Sequence, residues 1–375
     1  MNIHFCFSDG MRNFAPSTMK KKAMVTKSKI VVFREAGTPL QVETCDIPAL
    51  KEGEVLVKNE YATLCRSDIS TYLGKRIEKS PTILGHEIVG RVAALGPGVT
   101  DADGKPLHVG ERVTWAIYAA DPSTELSRRG IPQKSPDLFK YGHERLTPDS
   151  TLHGGLAEYT LLRKHTPILP LDESVPLPVG SIINCAISTV VGSLRLAGEL
   201  RGRRVAIWGI GMLGIIACAI CKERGAGEIV AIDINRERLA LAGRFGATST
   251  HLPDDKELEG LQADVTIDYS GRVGSMEATV GALAIGGVAV WVGGVCPQEK
   301  VKIDSEMLIR RLGTIKGLHN YNGDDFREAV AFVSRCWQKY PIEELIYDGF
   351  PLDRAEEAFR YAIEHNPFRV GIRTN

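Results

Sequence analysis

The sequence contains little cysteine and no surplus of charge of either sign. Eight cysteines in 375 residues are too few for a disulfide framework, and most lie inside apolar runs, which indicates a reducing, cytoplasmic compartment. Lysine and arginine together number 46, and so do aspartate and glutamate, so the net charge is zero. Proteins that bind nucleic acid or a membrane surface through charge carry a basic surplus, so we expect neither partner.

Long hydrophobic runs are also scarce. The N-terminus lacks an apolar segment followed by a small-residue cleavage site, which predicts no signal peptide. We interpret residues 1–28 as a flexible extension, and a start at Met19 or Met24 remains an alternative. Residues 205–221 are apolar for 17 positions, but a bilayer helix needs about 20, and glycines interrupt this run.

Two patterns divide the rest of the chain. Between residues 29 and 115, short apolar runs alternate with charged turns, which is typical of β-strands. Residues 118–150 are polar and proline-rich without a clear period, which predicts a long surface lobe. From residue 203, strand-like and helical runs alternate, which predicts an α/β fold with a parallel sheet covered by helices on both faces. Two amphipathic helices and a strand follow residue 320.

A glycine motif opens the alternating region. Gly209, Gly211 and Gly214 form G-x-G-x-x-G between a predicted strand and an apolar helix. The first glycine permits a tight turn, the second lets a pyrophosphate approach, and the third lets helix and strand pack closely. The alternative is a glycine-rich turn that binds nothing, but the strand–helix context favours a dinucleotide site.

The choice of dinucleotide depends on Asp233, which ends the next predicted strand 19 residues after Gly214. A carboxylate there accepts hydrogen bonds from ribose hydroxyls and repels a 2′-phosphate, which favours NAD over NADP. Arg236 and Arg238 follow closely and weaken this argument, and we include Arg238 among the cofactor-binding residues.

Cysteine also occurs as a C-x-x-C pair, Cys218 and Cys221. Both residues lie inside the apolar helix after the glycine motif, where cysteine behaves as a small hydrophobic residue. A redox pair usually lies at a helix start, which stabilises its thiolate. We therefore interpret this pair as core packing.

Three other residues have the chemistry of a zinc site. Cys65, His86 and Cys185 offer two thiolates and one imidazole, which suit zinc and leave its fourth coordination position open. Their spacing alone does not distinguish a metal site from structural side chains.

The motifs around these residues resemble the zinc-dependent medium-chain alcohol dehydrogenases. The resemblance runs from about residue 29 to the end of the chain. It rests on Cys-Arg-Ser-Asp from Cys65, Gly-His-Glu from Gly85, the later Cys185 and the glycine motif, and on three further segments, Gly110–Val113, His153–Tyr159 and Gly313–Gly317.

This resemblance implies a GroES-like, β-rich catalytic domain at residues 29–182, a Rossmann domain with a doubly wound parallel sheet at 183–320, and a return to the catalytic domain at 321–375. It also implies site residues. Cys65, His86 and Cys185 would bind one catalytic zinc. The matching residues around them are Asp68, which orients the histidine; Glu87, a neighbouring carboxylate; Arg66 and Arg369, pyrophosphate contacts; and Thr189, beside the nicotinamide.

The resemblance further implies the reaction. Zinc would act as a Lewis acid on an alcohol, and hydride would pass from the alcohol carbon to NAD⁺. Ser67 matches the hydroxyl that starts the family's proton relay, although it could instead be a turn serine that caps a helix. The histidine that ends the relay in well-known members is replaced by Ser70, so water or a ribose hydroxyl would have to complete it.

The family's structural zinc site is absent from the lobe. Many members have four cysteines there, and the matching positions in this chain are Asp121, Thr124, Ser127 and Ser135. Neutral hydroxyls are poor zinc ligands, so we expect the lobe to persist without metal, held by prolines, turns and packing, and to be more mobile or braced by a partner subunit. The alternative is that Asp121 recruits a metal with Glu125 or His143.

The sequence says less about the substrate and about the oligomeric state. Residues 128–144 resemble a subgroup that includes dehydrogenases associated with phosphonate catabolism and enzymes of cyclic secondary alcohols. This resemblance implies a secondary alcohol or its carbonyl product as the small-molecule substrate, with a polyol, a cyclitol and a phosphonate-linked alcohol as the alternatives. We expect a homodimer or homotetramer. The alternative functions are a zinc-independent quinone or enoyl reductase of the same fold and a non-catalytic nucleotide-binding homologue.

Overall fold

The computed structural model describes residue 1 and residues 26–294 and 297–374. The predicted N-terminal extension and its alternative start codons therefore lie almost entirely outside the described residues. The strands are β1 (Lys27–Val32), β2 (Gln41–Asp46), β3 (Val55–Thr63), β4 (Glu87–Leu95), β5 (Arg112–Trp115), β6 (Tyr118–Ala119), β7 (Phe139–Lys140), β8 (Tyr159–Leu162), β9 (Ile168–Pro170), β10 (Arg204–Trp208), β11 (Glu228–Ile232), β12 (Ser249–His251), β13 (Ala263–Asp268), β14 (Leu283–Trp291), β15 (Thr314–Gly317), β16 (Ile346–Pro351) and β17 (Arg369–Arg373). The helices are α1 (Arg66–Tyr72), α2 (Glu125–Arg128), α3 (Leu177–Ser181), α4 (Ser188–Ala197), α5 (Met212–Glu223), α6 (Arg236–Ala242), α7 (Val273–Gly281), α8 (Ser305–Arg310), α9 (Gly323–Cys336) and α10 (Ala355–His365).

The first half of the chain forms a mainly antiparallel, seven-stranded sheet. Its strand order is β16-β17-β3-β4-β5-β9, with β8 paired to β3 outside this path. The final strand β17 lies antiparallel to β3, with Ile372 opposite Ala62. The end of the chain therefore completes the sheet that its beginning started.

The second half forms a six-stranded parallel sheet in the order β12-β11-β10-β13-β14-β15. Numbered along the chain, this is 3-2-1-4-5-6, the doubly wound order of dinucleotide-binding folds. The four inner strands β10, β11, β13 and β14 are rich in valine, isoleucine and alanine, as expected for strands covered on both faces. The order reverses beside β10, so the glycine turn after this strand lies at the edge where such folds bind ligands.

One hydrophobic cluster contains residues from both sheets. It contains Val89 of β4, Leu194 of α4, Phe326 and Phe332 of α9, and Cys218 of α5. The Cys218 and Cys221 thiols are fully buried in it, and burial raises the pKa of both thiols, which confirms their packing role. The domain boundaries drawn from the sequence stay predictions.

The lobe at residues 118–150 is partly a core element, contrary to the surface lobe predicted from its polarity. It contains the short pair β6–β7, helix α2 and a 3₁₀ turn at Pro132–Lys134. The Tyr141 side chain is fully buried, and its hydroxyl lies 2.6 Å from Thr166 Oγ1. Phe139 and Tyr141 pack edge to face, with their ring centroids 5.2 Å apart. A few buried aromatic residues thus fix a segment that has no periodic pattern.

One helical run in the described residues, Leu177–Ala197, is long and apolar enough to cross a membrane by length and composition. It consists of α3, a π-helical turn and α4. In this fold, 83% of its apolar window is buried inside the protein. The run is therefore a buried helix of the protein core, and its π-helical turn contains Cys185, one of the candidate zinc ligands.

Candidate metal and dinucleotide site

The pairing of β3 with β4 brings the first two candidate zinc ligands together. Thr63, at the end of β3, lies opposite Glu87, at the start of β4. Cys65 follows β3 by two residues and begins α1 as its N-cap, and His86 immediately precedes β4. Antiparallel register therefore places a thiol and an imidazole at the same end of the sheet.

The third candidate ligand, Cys185, lies in the π-helical turn Ile183–Ile187 before α4. Tyr321 holds this turn in place, because its hydroxyl donates to the Asn184 carbonyl and accepts from the Ile117 N–H, with N and O 3.0 Å apart. Sequence reasoning missed Tyr321, since nothing in its local pattern indicates a contact 137 residues away.

These three side chains offer ligand atoms that all lie within 4.8 Å of one another. Around a tetrahedral zinc with bonds of about 2.0–2.3 Å, ligand atoms lie about 3.3–3.8 Å apart. Cys65 and His86 are buried and Cys185 is half-buried. Two sulfurs and one nitrogen at this separation suit zinc, and three protein ligands leave a coordination position for substrate.

The Asp68 carboxylate contacts both the backbone around the cluster and the ring of its histidine. It accepts the backbone N–H of Cys65 at 2.9 Å and that of Gly85 at 3.1 Å. The same carboxylate lies 3.3 Å from His86 Nδ1, which leaves Nε2 for a metal. The Asp68 side chain is fully buried. This is the arrangement in which a carboxylate sets the tautomer and the orientation of a metal-binding histidine.

The charges around the cluster favour a thiolate. A hydrogen bond from Cys185, opposed by burial and aided by Arg369 and His86, lowers the pKa of the Cys65 thiol well below its usual range. Burial lowers the pKa of His86, but Asp68 and Cys65 outweigh it and raise that pKa to about 10. A metal ligand must be deprotonated, so the binding of a cation would release protons from the cluster.

Arg369 and Glu87 form a buried ion pair beside the cluster. Arg369 Nε and Nη2 donate to the two Glu87 carboxylate oxygens at 2.7 and 2.9 Å, and Nη2 lies 3.7 Å from Cys65 Sγ. Thr63 donates a further hydrogen bond to Glu87 at 2.8 Å. The sequence resemblance assigned Arg369 to the pyrophosphate, whereas the structure places its guanidinium on Glu87 and against the metal cluster.

Ser67 lies in the first turn of α1, where its hydroxyl is 3.5 Å from His86 Nε2. This position is beside the face of the histidine that would bind a metal. The hydroxyl is therefore close enough to the cluster for the proton-relay role that the resemblance implies.

The glycine turn has the shape that a pyrophosphate requires. A Cβ on Gly214 would lie 2.1 Å from the Gly209 carbonyl oxygen, so helix and strand can pack only with glycine there. Gly209 has a φ of +88°, which favours glycine. A Cβ on Gly211 would have only Arg238 Nη1 near it, at 3.9 Å, so its outer side is open to a ligand.

Asp233 stands beside this turn at the end of β11. Its carboxylate accepts the Ile210 N–H at 2.6 Å and the Asn235 N–H at 2.8 Å. These bonds fix the carboxylate at the carboxyl end of the strand. Thr189 is buried in the first turn of α4, four residues after Cys185.

Two arginines join the glycine turn to the catalytic half. Arg238 Nη2 donates to the Asn366 carbonyl at 3.1 Å, and Arg66 donates to the Asn366 side chain. The charges of Arg238 and Arg369 contribute, after burial, to a lowered pKa of Arg66. The guanidinium groups of Arg66 and Arg238 thus meet at Asn366 next to the turn, and a pyrophosphate would relieve their repulsion.

The four lobe positions that lack cysteine also lie close together, and hydrogen bonds of their hydroxyl and backbone groups connect them. Thr124 Oγ1 lies 2.8 Å from Ser127 Oγ and 2.7 Å from Ser135 Oγ. Ser135 donates to Asp137 at 2.6 Å, and the other Asp137 oxygen accepts the Asp121 N–H at 2.7 Å. A closed hydrogen-bond cluster therefore occupies the place of four thiols.

Comparisons with known proteins agree with this geometry. Residues 51–173 match the family model of the alcohol dehydrogenase GroES-like domain, and residues 213–335 match that of the zinc-binding dehydrogenase. The D-xylulose reductase A of Aspergillus niger is 30% identical over 328 residues, which cover 82% of this chain and 85% of that protein. A probable D-xylulose reductase A of Emericella nidulans is 29% identical over 345 residues, covering 86% and 89%.

Solved structures show the same fold. An alcohol dehydrogenase of Thermotoga maritima superposes with a TM-score of 0.86 at 25% identity, covering 92% of this chain and 99% of the other. The L-idonate 5-dehydrogenase of Escherichia coli superposes with a TM-score of 0.81 at 23% identity, covering 92% and 98%.

Proposed function

Because the chain belongs to the zinc-dependent medium-chain alcohol dehydrogenase family, we propose that it oxidises a secondary alcohol, such as a polyol, with NAD⁺ as hydride acceptor. Alcohol dehydrogenase activity follows from the family, and the zinc-independent alternatives are not favoured. The observation that carries the proposal is the buried Cys65, His86 and Cys185 cluster, with its ligand atoms within 4.8 Å of one another.

The residues of this cluster would each have a distinct task. Zinc held by the three ligands would supply Lewis acidity that lowers the pKa of an alcohol hydroxyl. Asp68, 3.3 Å from His86 Nδ1, would hold the ring so that Nε2 is available to a metal. The Arg369–Glu87 pair shields the inner side of the cluster from water, since both side chains are buried. Ser67 would accept the hydroxyl proton and pass it outward.

The preference for NAD over NADP rests on Asp233. A fixed carboxylate at the end of β11 would receive ribose hydroxyls and repel a 2′-phosphate. The neighbouring Arg238 lies toward Gly211 and Asn366, where it would meet the pyrophosphate rather than the ribose. We therefore propose that Arg236 and Arg238, which follow β11, do not change the preference of the site from NAD to NADP.

The test is an oxidation assay with a panel of secondary alcohols, polyols and cyclitols, each with NAD⁺ and with NADP⁺, read by absorbance of the reduced cofactor. We expect turnover with NAD⁺, and with Asp233→Ser a shift of the ratio of NAD⁺ to NADP⁺ efficiency by about tenfold or more toward NADP⁺. The exposed Asp254→Asn serves as a control and should leave the ratio unchanged. A parent protein that already prefers NADP⁺ would refute the role of Asp233.

We also propose that the protein assembles as a homodimer or homotetramer in the cytoplasm. Among the residues that the structure describes, no strand pairs with the outer side of the edge strand β15, and the nearby side chains of Ile285, Ile309 and Leu312 are 72–78% exposed. Apolar exposure beside an unpaired sheet edge supports pairing with a second copy. The described cysteines are all free thiols, which suits a reducing compartment. Light scattering of the purified protein should give at least twice the chain mass, and a monomer would exclude the assembly.

A further inference from the structure

The turn that contains Cys185 is π-helical, and this rare geometry decides where the Cys185 thiol lies. We infer that the hydroxyl of Tyr321 stabilises the π-helical form of this turn and thereby positions Cys185 in the metal cluster. Tyr321 is thus a positioning residue, because it acts through Cys185. The inference rests on the proposed function, since it takes Cys185 as a zinc ligand.

The backbone hydrogen bonds of this turn leave one carbonyl without its usual helical partner. The Ile187 N–H donates to the Ile182 carbonyl, five residues before it, at 3.1 Å, which is the π-helical pattern. The Ser188 N–H is directed at the carbonyls three and five residues before it. In an α-helix it would donate to the carbonyl four residues before it, which is that of Asn184. The π-helical form therefore deprives the Asn184 carbonyl of the donor that an α-helix supplies.

The Tyr321 hydroxyl supplies the donor that the turn lacks. It donates to the Asn184 carbonyl and accepts the Ile117 N–H, with N and O 3.0 Å apart. Both Tyr321 and Asn184 are fully buried, where an unpaired carbonyl is costly because no water replaces the lost bond. In the α-helical form the same carbonyl would already have a helical partner. The hydroxyl therefore stabilises the π-helical form more than the α-helical form.

The form of the turn controls the direction of the Cys185 side chain. A π-helical turn contains one residue more than the α-helical turn that it replaces, and one residue of an α-helix rotates the chain by about 100°. In the π-helical form the ligand atoms of Cys65, His86 and Cys185 lie within 4.8 Å of one another. A change to the α-helical form would rotate the Cys185 side chain away from the other two ligands.

Packing that does not involve the hydroxyl holds the Tyr321 ring. The ring contacts Tyr118 of β6 and Phe326 of α9, with centroids 6.1 and 6.4 Å away. Tyr321 itself follows β15, and Ile117 precedes β6, so segments from both halves of the chain fix the ring in place. Tyr321→Phe therefore removes the hydrogen bonds while it keeps the aromatic contacts.

The first test measures zinc affinity by competition with a chromophoric chelator, which requires no turnover. We expect Tyr321→Phe to bind zinc about 10–100-fold more weakly than the parent protein. Tyr141→Phe is the matched control, because Tyr141 is also fully buried and its hydroxyl accepts the Arg163 N–H at 2.8 Å and lies 2.6 Å from Thr166 Oγ1. Both variants should lose similar stability in urea, and only Tyr321→Phe should lose zinc affinity. Equal or absent losses of zinc affinity in the two variants would overturn the inference.

The absorption spectrum of the cobalt-substituted protein reports the number of thiolate ligands. Cys65 and Cys185 would each contribute to the charge-transfer band between thiolate and cobalt in the near ultraviolet. In Tyr321→Phe the intensity of this band per bound cobalt should fall toward about half, as expected when one of two thiolates is lost. A band of full intensity in Tyr321→Phe would overturn the inference, because Cys185 would still bind the metal.

A second variant decides the case if Tyr321→Phe does not fold. Ser188 Oγ donates to the Ile183 carbonyl at 2.7 Å, a further bond that spans five residues. Ser188→Ala should therefore weaken zinc binding by about three- to tenfold. The matched control is Ser193→Ala, whose buried hydroxyl donates to the Val190 carbonyl at 2.7 Å in the same helix, and it should bind zinc like the parent protein. Parent-like zinc affinity in Ser188→Ala would overturn the inference.

Cys185→Ser separates failure of this inference from failure of the proposed function. Unchanged zinc affinity in Cys185→Ser would mean that Cys185 is not a ligand, which would count against the metal site, the proposed function and the inference together. Loss of zinc in Cys185→Ser, combined with parent-like zinc affinity in Tyr321→Phe, would overturn only the positioning role of Tyr321.

Discussion

Two polar clusters in this protein have the layout of metal sites, and they differ in how their members are satisfied. At the end of β3, Cys65, His86 and Cys185 lie within 4.8 Å of one another. In the lobe, Thr124 and Ser135 belong to a group of hydroxyls 2.7–2.8 Å apart. The first cluster has soft ligands and an open side, while the second is closed on itself.

A carboxylate organises each cluster, but it does so in opposite ways. Asp68 accepts two backbone N–H groups and lies 3.3 Å from His86 Nδ1, so its carboxylate leaves His86 Nε2 and the two thiols available to a metal. Asp137 accepts the Ser135 hydroxyl and the Asp121 N–H, so the cluster is complete without an ion. A structural metal can be replaced by hydrogen bonds, because its task is to hold chain segments together. A catalytic metal cannot, because its chemistry is needed.

The largest expected effect comes from removing a soft ligand. Cys65→Ser should abolish stoichiometric zinc binding and lower kcat by about a thousandfold or more, since metal stabilisation of charge contributes several kcal/mol. Affinity for NADH, measured by fluorescence titration, should change little because the glycine turn is on the other sheet. Cys45→Ser, a cysteine away from the cluster, is the control. Full activity in zinc-free Cys65→Ser would rule out the metal site.

A smaller effect is expected when the ligands stay and their support is weakened. Asp68→Asn keeps the side-chain shape but loses the negative charge beside His86 Nδ1. We expect zinc affinity to fall about 10–100-fold, measured by competition with a chromophoric chelator on protein whose circular dichroism matches the parent. Asp254→Asn, on an exposed loop, should bind zinc like the parent. Unchanged affinity in Asp68→Asn would mean that the carboxylate only caps α1.

The closed cluster should respond in stability rather than in activity. Ser135→Ala removes hydrogen bonds to Thr124 and Asp137 and should lower the free energy of unfolding by about 1–2 kcal/mol, measured by urea titration. Ser334→Ala, on an exposed helix face, should change it by less than about 0.5 kcal/mol.

The same variant has a pH signature. Hydrogen bonds from Ser135 and from the Asp121 N–H lower the pKa of Asp137 below its usual 3.8. A lowered carboxyl pKa contributes stability that is present above pH 3.8 and is lost as the pH falls through the folded-state value. The difference between Ser135→Ala and the parent should therefore be full at pH 7 and shrink below pH 4. A difference that is constant down to pH 3 would remove Asp137 from the cluster.

The sequence predicts the repetitive parts of this fold well. The alternating strands and helices expected from residue 203 are present, beginning with Arg204–Trp208 and Glu228–Ile232, and so is the strand expected after residue 320, Arg369–Arg373, because the apolar runs of these strands are a local pattern. The glycine turn was found from a motif that needs only local context, whereas Cys65 was assigned through the resemblance to a known family.

The rest depends on contacts between distant segments, which no local pattern encodes. Arg369 lies 282 residues from Glu87, and Tyr321 lies 137 residues from Asn184. The lobe was expected to be held by prolines, turns and packing, and the structure adds the hydroxyl cluster of Thr124, Ser127 and Ser135.

The contrast between the two clusters is tested most directly by counting zinc. Elemental analysis of protein purified with zinc and freed of loosely bound metal should give about one zinc per chain, because the closed hydroxyl cluster of the lobe offers no ligands for a second ion. As a positive control, replacing Asp121, Thr124, Ser127 and Ser135 together with cysteine should raise the count toward two. A firm value of two in the parent protein, or of one that survives Cys65→Ser, would contradict the account.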